Sequence, residues 1–157
     1  MKKPAFLSIL WVIAATGTLW AAMPRADAHC QIPCGIYDDP VRFTQLEEHI
    51  ATIEKSMKQI IDLADEAEHA NQLVRWVMNK EDHAGQFADI VTAYFLQQRI
   101  KPAAKDDDMY NDYIEHVTLC HKMLVTVMKA KQTTDLAHCE TLRALVAEFR
   151  ETYFHEH

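Results

Sequence analysis

Residues that break helices are scarce in this chain of 157: three glycines and five prolines. Gly17 lies in an apolar run near the start, and beyond Pro40 only Gly85 and Pro102 remain. An all-α domain follows from so few breakers. Positive charge is also in short supply. Lys and Arg number 16 against 23 Asp and Glu, a formal charge of −7. That balance argues against nucleic acid or an anionic membrane as a partner. No Cys-x-x-Cys-His run is present, so covalent haem has no attachment point. No pair of Glu-x-x-His motifs suggests a di-iron bundle. Internal repeats and low-complexity stretches are absent as well.

What is present divides early. Lys2 and Lys3 precede an uncharged run, Ala5 to Ala22, that contains Phe6, Leu7, Ile9, Leu10, Trp11, Val12 and Ile13. It closes on Pro24-Arg25-Ala26-Asp27-Ala28, whose Ala-x-Ala ending suits a signal peptidase. A retained membrane anchor is the competing reading, since about 20 apolar residues span a bilayer. The polar break before Ala26-x-Ala28 favours removal of residues 1–28. A lipid anchor on Cys30 would need a small residue where His29 stands. Without Lys2, Lys3, Arg25 and Asp27 the formal charge moves from −7 to −9. The expected mature chain has no membrane segment and enough length for one domain with its own core.

Residues 40–157 read as helices. Asp39 is placed to cap the first, with Pro40 in its opening position. Phe43, Leu46, Ile50, Ile53, Met57, Ile60, Ala64 and Ala67 then recur at steps of three and four, one apolar seam. A second helical region spans His69 to Ile100, using Leu73, Val77, Phe87, Ile90, Val91, Tyr94 and Phe95, with a break expected near Lys80–Gly85. Pro102 ends it, and Lys105–Asp108 links to a third helix from Met109 to Lys131. Its inward residues are Tyr110, Tyr113, Val117, Cys120, Leu124, Val127 and Met128. Asp135 is set to cap a fourth, carrying Leu136, Cys139, Leu142, Val146, Phe149 and Tyr153. Short links make these an antiparallel four-helix bundle.

The segment 29–39, between the expected cut and the first helix, carries the chemistry. Cleavage before His29 creates a terminus with a free amine and an imidazole on one residue. Cys30 adds a thiolate and a backbone nitrogen that a metal can help to ionise. Amine and amide nitrogen close one five-membered chelate ring, and the amide nitrogen and Cys30 sulfur close another. Cys34, brought back by a turn at Pro33 and Gly35, supplies a fourth donor. Two nitrogens and two thiolates suit Ni(II) or Cu(II) better than tetrahedral zinc. A Cys30–Cys34 disulfide is the alternative that spacing alone favours. The histidine directly after a cleavage site favours metal.

His29-Cys30-x-x-Pro33-Cys34-Gly35-x-Tyr37 resembles the metal-binding hook of nickel superoxide dismutases. Gln31 replaces an aspartate of some members, and Asp38-Asp39-Pro40 is one residue longer than some versions. Behind the hook the likeness is one of architecture. The resemblance implies one nickel ion per chain, disproportionation of superoxide to dioxygen and hydrogen peroxide by Ni(II)/Ni(III) cycling, and a homohexamer. It assigns the His29 amine, the Cys30 amide nitrogen and the Cys30 and Cys34 sulfurs to one plane, with the His29 imidazole axial in the oxidised state. Tyr37 orders and screens the substrate pocket. Glu47, with Glu48 close behind, is the candidate partner for the His29 ring. Lys101, before Pro102, resembles a family lysine-proline step that lends positive potential to a neighbouring hook.

A peptidase must cut after Ala28 for this site to form. The long apolar leader implies export, with the periplasm as destination; trimming by a dedicated peptidase in the cytoplasm is the alternative. The rival function is an exported, non-catalytic nickel or copper carrier using the same hook. A plain helical bundle with a disulfide-closed loop is a third reading. Glu115, His116, Cys120 and His121 share the third helix, but Cys120 and Cys139 lie on apolar seams and read as core.

Overall fold

The computed structural model describes residues 31–65 and 67–155, so the leader, His29 and Cys30 lie outside the described residues. Helix α1 is Asp39–Leu63, followed by a 3-10 turn, Ala67–His69. Helix α2, Ala70–Asp89, continues into a π-helical segment, Ile90–Arg99. Helices α3, Tyr110–Gln132, and α4, Ala137–His155, complete the described chain. Among the described residues there is no strand.

The cap of α1 is Asp38, not Asp39. Asp38 accepts the Val41 N–H at 3.3 Å, which seats Pro40 in the first turn, where its missing N–H costs nothing. Asp39 is thereby left to do something else. Asp107 accepts the Met109 N–H ahead of α3, and Asp135 accepts the Ala137 N–H at 3.0 Å ahead of α4, as expected.

Contacts fix the directions. Asp39, at the start of α1, meets Tyr94 and Arg99 late in the π-helical segment and Tyr153 late in α4. His116, early in α3, packs against Phe149 and Tyr153. Lys80 of α2 meets the last carbonyls of α3. Neighbouring helices thus run antiparallel, each touching the next, with α4 returning to α1.

The seam of α1 is buried as expected through Phe43, Leu46, Ile50, Ile53 and Met57, while Ala64 is exposed. Phe43 sits in an aromatic cluster with Phe95, Phe149 and Tyr153 at ring-centroid distances of 5.0, 5.3 and 5.7 Å. Such pairs add stabilisation beyond their buried area. In α3 the buried face is His116, Leu119, Cys120, Met123, Thr126, Val127 and Ala130, and Met128 is exposed. Val77 of α2 is also exposed.

The break expected at Lys80–Gly85 is absent. Lys80 is polar there because its ammonium is buried against α3, and Ala84 packs in the core. The irregularity comes later, at Ile90. From there the Ile100 N–H reaches the Phe95 carbonyl at 2.9 Å, five residues back. In a regular α-helix, residues five apart diverge by about 140° around the axis. Hydrogen bonding from i to i+5 brings them back to one side. Tyr94 and Arg99 are five apart, and both reach Asp39.

Candidate metal centre and its support

Pro33, Cys34, Gly35 and Ile36 form a β-turn closed by the Ile36 N–H donating to the Pro33 carbonyl at 2.7 Å. Gly35 takes φ 83° at its third position, the left-handed conformation that glycine adopts at little cost. The turn leaves Cys34 exposed. The two other described cysteines differ sharply. Burial pushes the Cys120 thiol up to about 12, and the Cys139 thiol, mainly for the same reason, up to about 11. Metals bind thiolates, so these two core thiols are poor donors at neutral pH. They stand apart as separate thiols.

Three residues past Cys34, Tyr37 leaves the turn and lies on the end of the bundle, 38% exposed. The Arg99 guanidinium sits 4.5 Å from its ring centroid, and the Tyr94 ring meets it edge-on at 5.8 Å and 83°. Both partners are tied to Asp39. Arg99 donates from Nε at 2.8 Å and from its terminal nitrogen at 2.6 Å. The Tyr94 and Tyr153 hydroxyls donate at 2.5 and 2.9 Å. A carboxylate offers about four acceptor directions, and here four donors take them. Burial alone would raise the Asp39 pKa, but hydrogen bonds from Arg99, Tyr94 and Tyr153 outweigh it and hold the group below its usual range. Burial and the bond to Asp39 push the Tyr94 phenol up to about 12.

Beyond this hub lies a cavity of ≈ 420 Å³, walled by Arg99, Lys101, Asp107, Tyr113, His116 and Tyr153. Lys101 is exposed at it, whereas His116 is only 5% exposed. Among the described residues, no three His, Cys, Asp or Glu side chains gather as a metal site. The Glu115–His121 stretch of α3 is therefore not one. Among the described residues Cys34 is the exposed thiol, and the other two expected ligands, His29 and Cys30, lie outside them. The expected donor types, thiolates with an imidazole, are ones that nickel takes.

Comparison with known proteins decides the class. The model of the family described as nickel-containing superoxide dismutase matches residues 24–157, which takes in the whole hook and all four helices. The chain belongs to that family. It is a nickel-containing superoxide dismutase, an oxidoreductase, and the carrier reading falls away. No curated protein and no solved structure matches the chain.

In this dismutase the remaining expected residues are placed as follows. Glu47 lies on an exposed face of α1 and pairs with Arg150 of α4 at 3.2 Å. Glu48 is exposed beside it. Their relation to His29 lies outside the described residues. Asp39, Arg99, Tyr94 and Tyr153 went unremarked as site residues in the sequence. The doubled Asp38-Asp39 before Pro40 was the available signal, since a helix start needs only one capping carboxylate. Among the described residues no helix is long and apolar enough to cross a membrane.

Proposed function

We propose that this chain, cut after Ala28, holds one nickel ion through the His29 amine and imidazole, the Cys30 amide nitrogen and thiolate, and the Cys34 thiolate. Bound nickel supplies the one-electron couple, Ni(II) and Ni(III), that both halves of superoxide disproportionation require. The chain's own groups set the conditions. Electron-rich thiolates and an ionised amide stabilise the higher oxidation state. Tyr37, seated on the bundle three residues beyond Cys34, covers the approach and orders the water that delivers protons to the reduced substrate. Lys101, exposed beside the cavity, offsets the repulsion that a domain of formal charge −9 exerts on an anion. Export to the periplasm, removal of the leader by a peptidase and assembly into a hexamer belong to the same reading.

One observation carries it: Cys34 is displayed on a turn that Gly35 shapes at φ 83°, next to a Tyr37 already docked. The test is substitution of the thiolates. Cys30→Ser and Cys34→Ser should each lose nickel and dismutase activity with helical circular dichroism unchanged, because the hook precedes the helices. Native nickel content near one per chain is expected. Nickel and activity retained in either variant would remove the thiolate pair from the site.

A further inference from the structure

No step of the proposed dismutation uses His49 of α1 or His83 of α2, yet the fold brings their rings together. Their Nδ1 atoms stand 2.9 Å apart and their ring centroids 5.1 Å apart, and both residues are half-buried. Packing holds the two backbones. Ile50 and Ile53 near His49, and Ala84 and Phe87 near His83, are fully buried. Asn79 of α2 also donates to the Ser56 hydroxyl of α1 at 2.9 Å, which pins the same two helices.

The spacing carries chemical information. A histidine nitrogen binds a divalent metal at about 2.0–2.1 Å. Two such nitrogens at right angles around one ion stand about 2.9 Å apart, whereas tetrahedral directions spread them to about 3.3–3.4 Å. The observed separation is the right-angled one, the edge of a square-planar or octahedral shell. In the free protein one ring donates to the other, so a proton sits between the two nitrogens. To bind an ion, the donor ring carries its proton on Nε2 instead and both Nδ1 atoms become donors, with no net proton lost. The Glu48 carboxylate acts on the His49 ring and adds negative potential there.

We propose that His49 and His83 form a second cation site, which bridges α1 and α2 and takes a divalent ion of the nickel–copper type through both Nδ1 atoms. Water fills the rest of the shell, since among the described residues no third His, Cys, Asp or Glu gathers with them. Two protein donors hold an ion more weakly than the fuller set assigned to the hook, so this site fills only when nickel is in excess. Both ligands belong to the bundle, and nothing here depends on the hook.

The test uses the mature, nickel-loaded chain with its histidine rings labelled, and adds further Ni(II) as the probe. Octahedral Ni(II) is paramagnetic, so it shifts and broadens the nuclear resonances of the rings that bind it. The His49 and His83 signals, assigned with His49→Gln and His83→Gln, should be the first of the nine histidines to change. The same addition should raise the melting temperature, because an ion that binds only the folded pair stabilises it. In either variant both responses should be lost at the same nickel concentration, with helical circular dichroism unchanged. One variant from each helix keeps the test decisive if the other fails to fold. Changes confined to other rings, such as His155 and His157 near the terminus, overturn the proposal. So does a response in His49→Gln or His83→Gln equal to that of the native chain; the pair is then a hydrogen bond and nothing more. Each ring is read separately, so the result does not depend on whether the hook holds its ion.

Discussion

The Lys80 ammonium of α2 donates to the Lys131 carbonyl of α3 at 2.5 Å, and also to the carbonyls of Ala130 and Thr133 at 3.2 Å each. The last carbonyls of a helix lack intrahelical partners and carry its negative dipole end. A cation from a neighbouring helix satisfies three oxygens at once. Lys80 is only 5% exposed, so water cannot replace it. Lys80→Met should therefore lower stability by about 2–3 kcal/mol, the scale of lost charge-assisted bonds to buried acceptors. Nickel content should not change, because Lys80 meets the end of α3 and not the residues that touch Tyr37. Thermal denaturation and metal analysis of the same sample check both halves. A melting temperature equal to that of the native protein would show that the three carbonyls find other donors.

On the adjoining pair of helices, His49 of α1 and His83 of α2 face each other with Nδ1 atoms 2.9 Å apart. One ring must donate and the other accept, so the pair cannot hold a proton on both of these nitrogens. Burial first, and His83 second, hold the His49 pKa below its ordinary 6.5, against a weaker pull from Glu48. The sign follows from counting protons. Below pH 6.5 the unfolded chain protonates His49 while the folded chain resists, so stability is lost as pH falls and is whole above 6.5. Between pH 7.5 and 5 the melting temperature should drop, and His49→Gln should flatten part of that drop. An equally steep fall in the variant would place the sensitivity elsewhere.

Most of the bundle was legible because its signal is periodic. Phe43, Leu46, Ile50, Ile53 and Met57 lie on one 3.6-residue seam, and all are buried. Where the chain departs from that period, the sequence misled. Lys80 looked like a break because a polar residue inside a helix normally faces water, and nothing local says that it caps a helix distant in the chain. Arg99 falls off the Tyr94 seam when counted at 3.6 residues per turn, and only the π-helical segment returns it to Asp39. Asp38 and Asp39 compete for one capping role, and packing with Tyr94, Tyr153 and Arg99 decides between them. The family was legible for a different reason, since the motif that resembles it is confined to nine consecutive positions.

The thiols of Cys120 and Cys139 should behave as core groups. Their pKa values, about 12 and about 11, leave almost no thiolate at neutral pH. Cys139 lies 3.7 Å from the Met57 sulfur, deep between α1 and α4. Alkylation of the native protein should spare both, and Cys120→Ala or Cys139→Ala should keep nickel and activity at a cost of about 1–2 kcal/mol in stability. Loss of nickel from either alanine variant would move part of the metal site into the bundle.

Processing tests the ligand set as a whole. If the His29 α-amine is a donor, it does not exist until the bond after Ala28 is cut, because before then that nitrogen is an amide. The uncut precursor, and a chain with one alanine left ahead of His29, should fold into the same bundle yet bind nickel poorly and lack dismutase activity. Neither change touches the helices or the residues that pack against Tyr37, so a loss cannot be assigned to misfolding if circular dichroism is unchanged. His29→Ala, correctly cut, is the complementary case. It keeps the amine, the Cys30 amide and both thiolates and loses only the imidazole, so it should retain nickel while turnover falls steeply. Intact mass, nickel content and the rate of superoxide decay, measured side by side on the four forms, separate these outcomes. An alanine-extended chain as active as the cut one would exclude the amine as a ligand. The imidazole and the two thiolates would then have to hold the metal with a donor from elsewhere.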